Sequence, residues 1–195
     1  MTMALDTAPI TDEDALLLAA YAAGEASAAR ALTLRLTPLA LRVAQRMLGD
    51  AAEAEDVAQE AMLRLWRAAP GWRTGEARVT TWLYRVTANL CTDRLRKRRS
   101  VGIDEIAEPE DDRPGVVAGM IETDRMAAFQ AALMQLPERQ RQAVVLRHIE
   151  GLSNPEIAAV LDVGVEAVES LTARGKRALA AILAGRKDEL GYDDE

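Results

Sequence analysis

Residues 153–183 read SNPEIAAVLDVGVEAVESLTARGKRALAAIL. Ser153 stands three positions before Glu156, the spacing at which a serine hydroxyl and a glutamate carboxylate satisfy each other's backbone amides at a helix start. Ile157, Ala158, Val160 and Leu161 follow at helical spacing, Asp162-Val163-Gly164 interrupts the period, and Val165, Val168, Leu171 or Thr172, Leu179 and Ile182 resume it. The stretch predicts a short helix, a tight turn and a longer helix. A helix-turn-helix needs a small residue where the helices cross, a turn residue that tolerates positive φ, and an apolar residue that locks the second helix. Ala158, Asp162 and Val168 fill those places. The outward face of the second helix then carries Glu166, Glu169, Ser170, Ala173, Arg174 and Arg177, shaped for a major groove, with the two arginines near phosphates or guanine edges. A plain helical hairpin would have the same period without the capping box, the turn and the basic end.

Upstream, residues 122–136 read as a helix that stops before Pro137, and 138–149 as another that ends at Gly151. Before them VGIDEIAEPEDDRPGVVAG (101–119) has two prolines, three glycines and a cluster of acids, which oppose a packed core and predict a linker. It reads either as a solvated spacer or as an acidic mimic of nucleic acid that shields nearby basic patches. The chain is acidic as a whole, 24 Lys and Arg against 31 Asp and Glu, but its charge is uneven. Residues 11–100 hold 14 basic and 11 acidic side chains, whereas the linker and the tail 187–195 are strongly acidic. A polyanion responds to the local patch rather than to the sum.

The N-terminal part predicts four more helices. One opens at Thr11, with Asp12, Glu13 and Asp14 in its first turn, and runs to about Ala22. The second spans about Glu25 to Leu48 and stops at Gly49, with Pro38 expected to kink it. The third, about Ala51 to Ala69, is closed by Pro70-Gly71, and a fourth runs from about Arg78 to Arg99 after a loop. On the third, Val57, Ala58, Ala61, Met62, Leu65, Trp66 and Ala69 make a core face, while Asp56, Glu60, Leu63 and Arg67 make a second stripe in which a leucine sits among charges. On the fourth, Trp82, Val86 and Leu90, with Leu83 beside them, suit a buried side, and Arg85, Asn89, Asp93 and Arg96 share one face. Trp72, Trp82, Tyr84 and the adjoining arginines combine cations with flat side chains, as unstacked single-stranded bases require; equally, the aromatics could be core and the arginines a solvated helix end.

Composition narrows the function. Ala and Leu abound and aromatics make up 4%, which with short β-branched runs predicts an all-α protein of two small helical domains, residues 10–100 and 122–186, joined by the acidic linker and followed by an acidic tail. One cysteine, Cys91, and one histidine, His148, supply neither an internal disulfide nor a zinc set, so no cofactor or metal is expected. No apolar run approaches a membrane span and the first residues lack a signal core, which points to the cytoplasm. No nucleophile with a base and no phosphate-cradling glycine loop is found, which argues against an enzyme.

Taken together, GDAAEAEDVAQEAMLRLWR (49–67), TTWLYRVTANLCTDRLRKRR (80–99) and LPERQRQAVVLRHIEGLSNPEIAAVLDVGVEAVESLTARGKRAL (136–179) resemble the extracytoplasmic-function sigma factors of bacterial RNA polymerase. The resemblance implies a promoter-specificity subunit. It implies that Asp56, Glu60, Leu63, Trp66 and Arg67 dock on the clamp helices of the largest polymerase subunit. Trp72, Arg73, Arg78, Trp82, Arg85, Asn89, Asp93, Arg96 and Arg98 would take the −10 element, and Ser153, Glu166, Glu169, Ser170, Ala173, Arg174 and Arg177 the −35 element. An anti-sigma factor is the further partner it implies. Glu169 and Leu171 depart from the family habit of Lys and Arg there, which changes the base contacts open to the reading helix. A sigma mimic that sequesters an anti-sigma factor without binding promoters is the alternative.

Overall fold

A computed structural model describes residues 12–75, 77–101 and 119–185; Thr11, the linker 102–118 and the acidic tail lie outside the described residues. The described residues form helices α1 (Glu13–Ala22), α2 (Ala26–Leu48), α3 (Ala51–Ala68), α4 (Val79–Val101), α5 (Gly119–Gln135), α6 (Glu138–Val144), α7 (Asn154–Leu161) and α8 (Val165–Ala184), with no strand among them. A 3-10 turn, Ala69–Gly71, closes α3, and a π turn, Val145–Ile149, prolongs α6. The helix begins at Gly119, three residues earlier than the composition of the linker predicts.

The helix starts follow from side chains that supply missing acceptors. Asp12, rather than Thr11, caps α1: its Oδ1 accepts from the Asp14 amide at 3.2 Å while its Oδ2 accepts from Val79, the first amide of α4, at 2.9 Å. One carboxylate therefore fastens two helix starts. Asp50 caps α3 by accepting from the Glu53 amide at 2.9 Å. Gly49 ends α2 at φ 70°, the left-handed conformation that glycine adopts without strain. Pro38 lies inside α2, which continues past it to Leu48.

Packing follows the apolar faces with one rotation. Ala15, Leu18, Leu32, Leu36, Ala61, Leu65 and Leu83 form a core among α1–α4, and α3 buries the face its spacing predicts, with Trp66 half-buried. On α4 the expected inner side, Trp82, Val86 and Leu90, is only half-buried. Leu83, expected beside them, is buried, and Val79, Tyr84, Thr87, Ala88 and Cys91 are buried with it. The reason is that α4 is covered twice, by its own unit and by the C-terminal helices. A second cluster runs from Val43, Met47, Leu48, Val57, Tyr84, Ala88 and Cys91 directly into Leu133, Val144, Leu146, Ile157 and Val168. The two helical units thus share this second core, while the first belongs to the N-terminal unit alone.

Within the C-terminal unit α8 crosses α6 at Gly175. A Cβ there would stand 2.6 Å from Val144 Cγ2 and 3.0 Å from the Gln140 carbonyl oxygen, so the crossing depends on the missing side chain. Gly175→Ala is expected to lower stability by about 1–3 kcal/mol, the usual cost of overpacking a tight core, despite the better helix propensity of alanine. Thermal unfolding followed by circular dichroism checks this; an unchanged or raised midpoint contradicts the crossing.

Candidate nucleic-acid interface

The helix-turn-helix forms as its sequence requires. Ser153 caps α7 in a complete capping box: the Ser153 amide donates to Glu156 Oε2 at 2.8 Å, its hydroxyl donates to the same oxygen at 2.6 Å, and the Glu156 amide reaches back to Ser153 Oγ at 3.4 Å. These hydrogen bonds hold the Glu156 carboxyl below its usual range, the Ser153 hydroxyl acting most strongly. Asp162 takes the turn at φ 56°, among the described residues the one non-glycine with positive φ. Val168 is fully buried and Ala158 half-buried where the helices meet. Glu166, Glu169, Ser170, Ala173, Arg174 and Arg177 are all exposed on α8. Two make local contacts: Asn154 donates to Glu169 at 3.4 Å, and Arg174 Nε to the Ser170 carbonyl at 3.2 Å. Ser153, counted above among DNA contacts, spends its hydroxyl on the cap.

The predicted face of α4 is outward but partly occupied. Arg85, Asn89, Asp93 and Arg96 are exposed. Trp72 and Trp82 meet edge to face, 5.8 Å between centroids, and pack against the N-terminal core, half-buried rather than free-standing. Arg73 and Arg78 are exposed in the loop before α4. Arg98 bonds to Asp50 and Glu53 at 3.5 and 2.9 Å, locking the α2–α3 corner. Tyr84, read above as a flat platform for bases, is buried, and its hydroxyl donates to Glu150 at 2.9 Å. That correction arises because the C-terminal unit covers the side of α4 on which Tyr84 lies.

The charged stripe of α3 is solvent-facing. Asp56 and Arg67 are exposed and Leu63 is 47% exposed, a large apolar side chain left uncovered. Glu60 accepts from Arg64 at 2.9 Å, which lowers its pKa, and Asp56 lies 3.4 Å from Arg94. Trp66 flanks the stripe and packs tilted against Tyr21, with ring centroids 4.6 Å apart.

Comparison with known proteins accounts for this layout. Residues 32–101 match Sigma-70 region 2 and residues 126–179 match Sigma-70 region 4. The chain is 35% identical over 170 residues to the ECF RNA polymerase sigma factor SigM of Mycobacterium tuberculosis, covering 87% of this chain and 84% of SigM. The chain belongs to the ECF sigma factors. It is also 36% identical over 152 residues to SigE of Mycolicibacterium smegmatis, covering 76% of this chain but 58% of SigE, so it spans little more than half of that relative's length. Among solved structures CnrH, determined in complex with the cytosolic domain of CnrY, matches with a TM-score of 0.66 and 30% identity, over 89% of this chain and 99% of CnrH.

In this sigma factor region 2 thus corresponds to α2–α4 and region 4 to α5–α8. What sequence reasoning missed is the set of residues joining them: Arg42, Tyr84, Glu150 and the pairs Arg78–Glu156, Arg85–Asp162 and Arg99–Glu138. Each links positions far apart in the chain, and no periodicity reports such a pairing.

The capping box yields a prediction. Because the Glu156 pKa is lowered on folding, its contribution is complete above the ordinary glutamate range and is lost as pH falls through the lowered value. Ser153→Ala is expected to cost about 1 kcal/mol at neutral pH, and to make stability less sensitive to acidification from about pH 5 to 3. Urea denaturation at both ends of that range measures it, and an unaltered acid dependence would refute the assignment.

Proposed function

We propose that this sigma factor directs promoter-specific initiation by binding alone, with each helical unit taking one end of the promoter. The observation that carries the reading is α8: a helix locked by Val168 and the Asp162 turn, whose six predicted reading residues all face solvent. Placed in a major groove, Arg174 and Arg177 meet phosphates or guanine edges, and Glu169 is an acceptor suited to a cytosine amino group. Region 2 then supplies the −10 contacts through Arg73, Arg78, Arg85, Asn89 and Arg96 with Trp72 and Trp82 beside them. Extruding a base costs a few kcal/mol, which a pocket for that base offsets in the open complex.

The α3 stripe Asp56, Glu60, Leu63 and Arg67, flanked by Trp66, is the docking surface for core polymerase. An uncovered leucine ringed by charges is the composition of a small protein interface with a polar rim. An anti-sigma factor is the proposed regulator, as membership of the ECF sigma factors suggests; CnrH was likewise solved with a protein partner, the cytosolic domain of CnrY. No described helix is long and apolar enough to cross a membrane, in keeping with action in the cytoplasm.

The central experiment adds the purified chain to core polymerase on promoter-bearing genomic fragments and maps transcript starts. A defined start that depends on the chain is expected; binding to core with no promoter ever opened would favour the mimic. Leu63→Ala combined with Asp56→Arg is expected to weaken core binding at least about tenfold with the helical spectrum intact, as loss of an interface anchor does. Replacing Arg174 and Arg177 by alanine is expected to weaken binding to the mapped −35 duplex and reduce the slope of log affinity against log salt by about 1–2. An unchanged slope would remove these arginines from the phosphate contacts.

A further inference from the structure

The faces proposed above are not equally accessible. α7 lies against α4, and the acids near its two ends meet cations assigned to the −10 element: Glu156 stands 3.7 Å from Arg78 and Asp162 3.9 Å from Arg85. Deeper in the same contact is Glu150, whose side chain is 0% exposed. It accepts from Arg42 Nε at 2.7 Å, from a terminal nitrogen of Arg42 at 2.6 Å, and from the Tyr84 hydroxyl at 2.9 Å. Around them Gln142 donates to Thr92 Oγ1 at 2.8 Å, and Gln130 donates to the Gln45 carbonyl at 3.1 Å while accepting from Arg46. The α3 stripe and the outer face of α8 are left uncovered.

The composition of this contact sets it apart from a permanent core. Its centre is apolar, but Arg141 and Gln142 are buried with Arg141 Nε and Gln142 Oε1 lacking hydrogen-bond partners. Arg141 is near enough for its charge to act on Cys91 of α4, and burial lowers its own pKa. Buried polar atoms without partners disfavour the closed arrangement, because water would satisfy them if the units parted. The Glu150 hydrogen bonds act the other way, since a buried carboxylate is tolerated only while its donors stay in place. The closed arrangement is therefore a balance held by a few identifiable side chains.

We propose that region 4 has a second function: in the chain by itself it is an intramolecular inhibitor of region 2, holding α7 along one edge of the −10 face of α4, where Glu156 and Asp162 engage Arg78 and Arg85, and latched by Glu150 on Arg42 and Tyr84. The polymerase-docking stripe remains open, so core can engage the closed chain, and the −10 face is released when the latch parts. Naming that face rests on the proposed function above; the latch itself does not.

Cys91 is the only cysteine in the chain, is 0% exposed, and lies in the core shared by the two units. Burial pushes its thiol up to about 12, which makes the closed state unreactive. Alkylation of Cys91 by N-ethylmaleimide in the full chain, read by mass spectrometry, then measures opening. Glu150→Ala and Arg42→Ala are expected to react at least about tenfold faster than the parent chain, as the loss of charge-assisted hydrogen bonds implies. Tyr84→Phe should show a smaller gain. The first two should also increase the radius of gyration in X-ray scattering while the helical spectrum is unchanged. If Glu150→Ala fails to fold, Arg42→Ala and Tyr84→Phe decide the matter. Folded variants with parental alkylation rates and scattering would overturn the latch, as would a parent chain that already scatters as two separated units. Core polymerase added to the parent chain is expected to speed alkylation. A polymerase that does not bind counts against the docking proposal alone, because the thiol readout on the variants needs no polymerase.

Discussion

A carboxylate removed from water is the constraint around which the two halves of this sigma factor are arranged. Glu150 has no exposed side-chain surface, and desolvating such a charge costs several kcal/mol unless donors replace its hydration. Arg42 from α2 and Tyr84 from α4 are those donors. Their own ionisation registers the contact: the Arg42 guanidinium is raised chiefly by its hydrogen bond to Glu150, and the Tyr84 phenol is pushed up by burial first and by the carboxylate second. Both effects keep the donors protonated through the neutral range.

The same economy of donors organises α4. Its start is tied to α1 through Asp12, its middle faces the C-terminal unit, and its basic end is distributed among acids of other helices: Arg94 to Asp56, Arg98 to Asp50 and Glu53, Arg99 to Glu138. A cluster that looks strongly cationic in the sequence is thus partly neutralised in place. These pairs are largely solvent-exposed and individually contribute little to stability. Their effect is on which cations remain available to phosphate, and Arg96 stays exposed to solvent.

Local chemistry was legible in advance and long-range chemistry was not. The capping box at Ser153, the left-handed turn at Asp162, the stop at Gly49 and the inner face of α3 depend on residues within a few positions of each other, so period and residue type suffice to read them. The inner face of α4 was misplaced by a fraction of a turn because a single amphipathic stripe was assumed, whereas two units press on that helix from different sides. Tyr84, Arg141 and Glu150 fall in the same class: local spacing gives no sign that a tyrosine, an arginine and a glutamate are buried until the other unit is placed against them. The outward faces of α3, α4 and α8 follow from helical spacing, and their docking, −10 and −35 roles from the resemblance. The structure adds that Ser153 and Arg98 are committed to internal bonds.

The π turn at Val145–Ile149 gives this arrangement a register. The Glu150 amide bonds back to the Val145 carbonyl and the Leu152 amide to that of Leu146, wider loops than an α-helix makes. Such a turn is an α-helix carrying one surplus residue, and each residue advances the helix by about 100°. Shortening the segment by one position would swing Glu150 through roughly that angle, away from α2, while leaving the side chains of Glu150, Arg42 and Tyr84 unchanged. The coupling of promoter-reading units in this chain is accordingly sensitive to length as well as to composition: an insertion or deletion of one codon here would act as strongly as exchange of the acid itself.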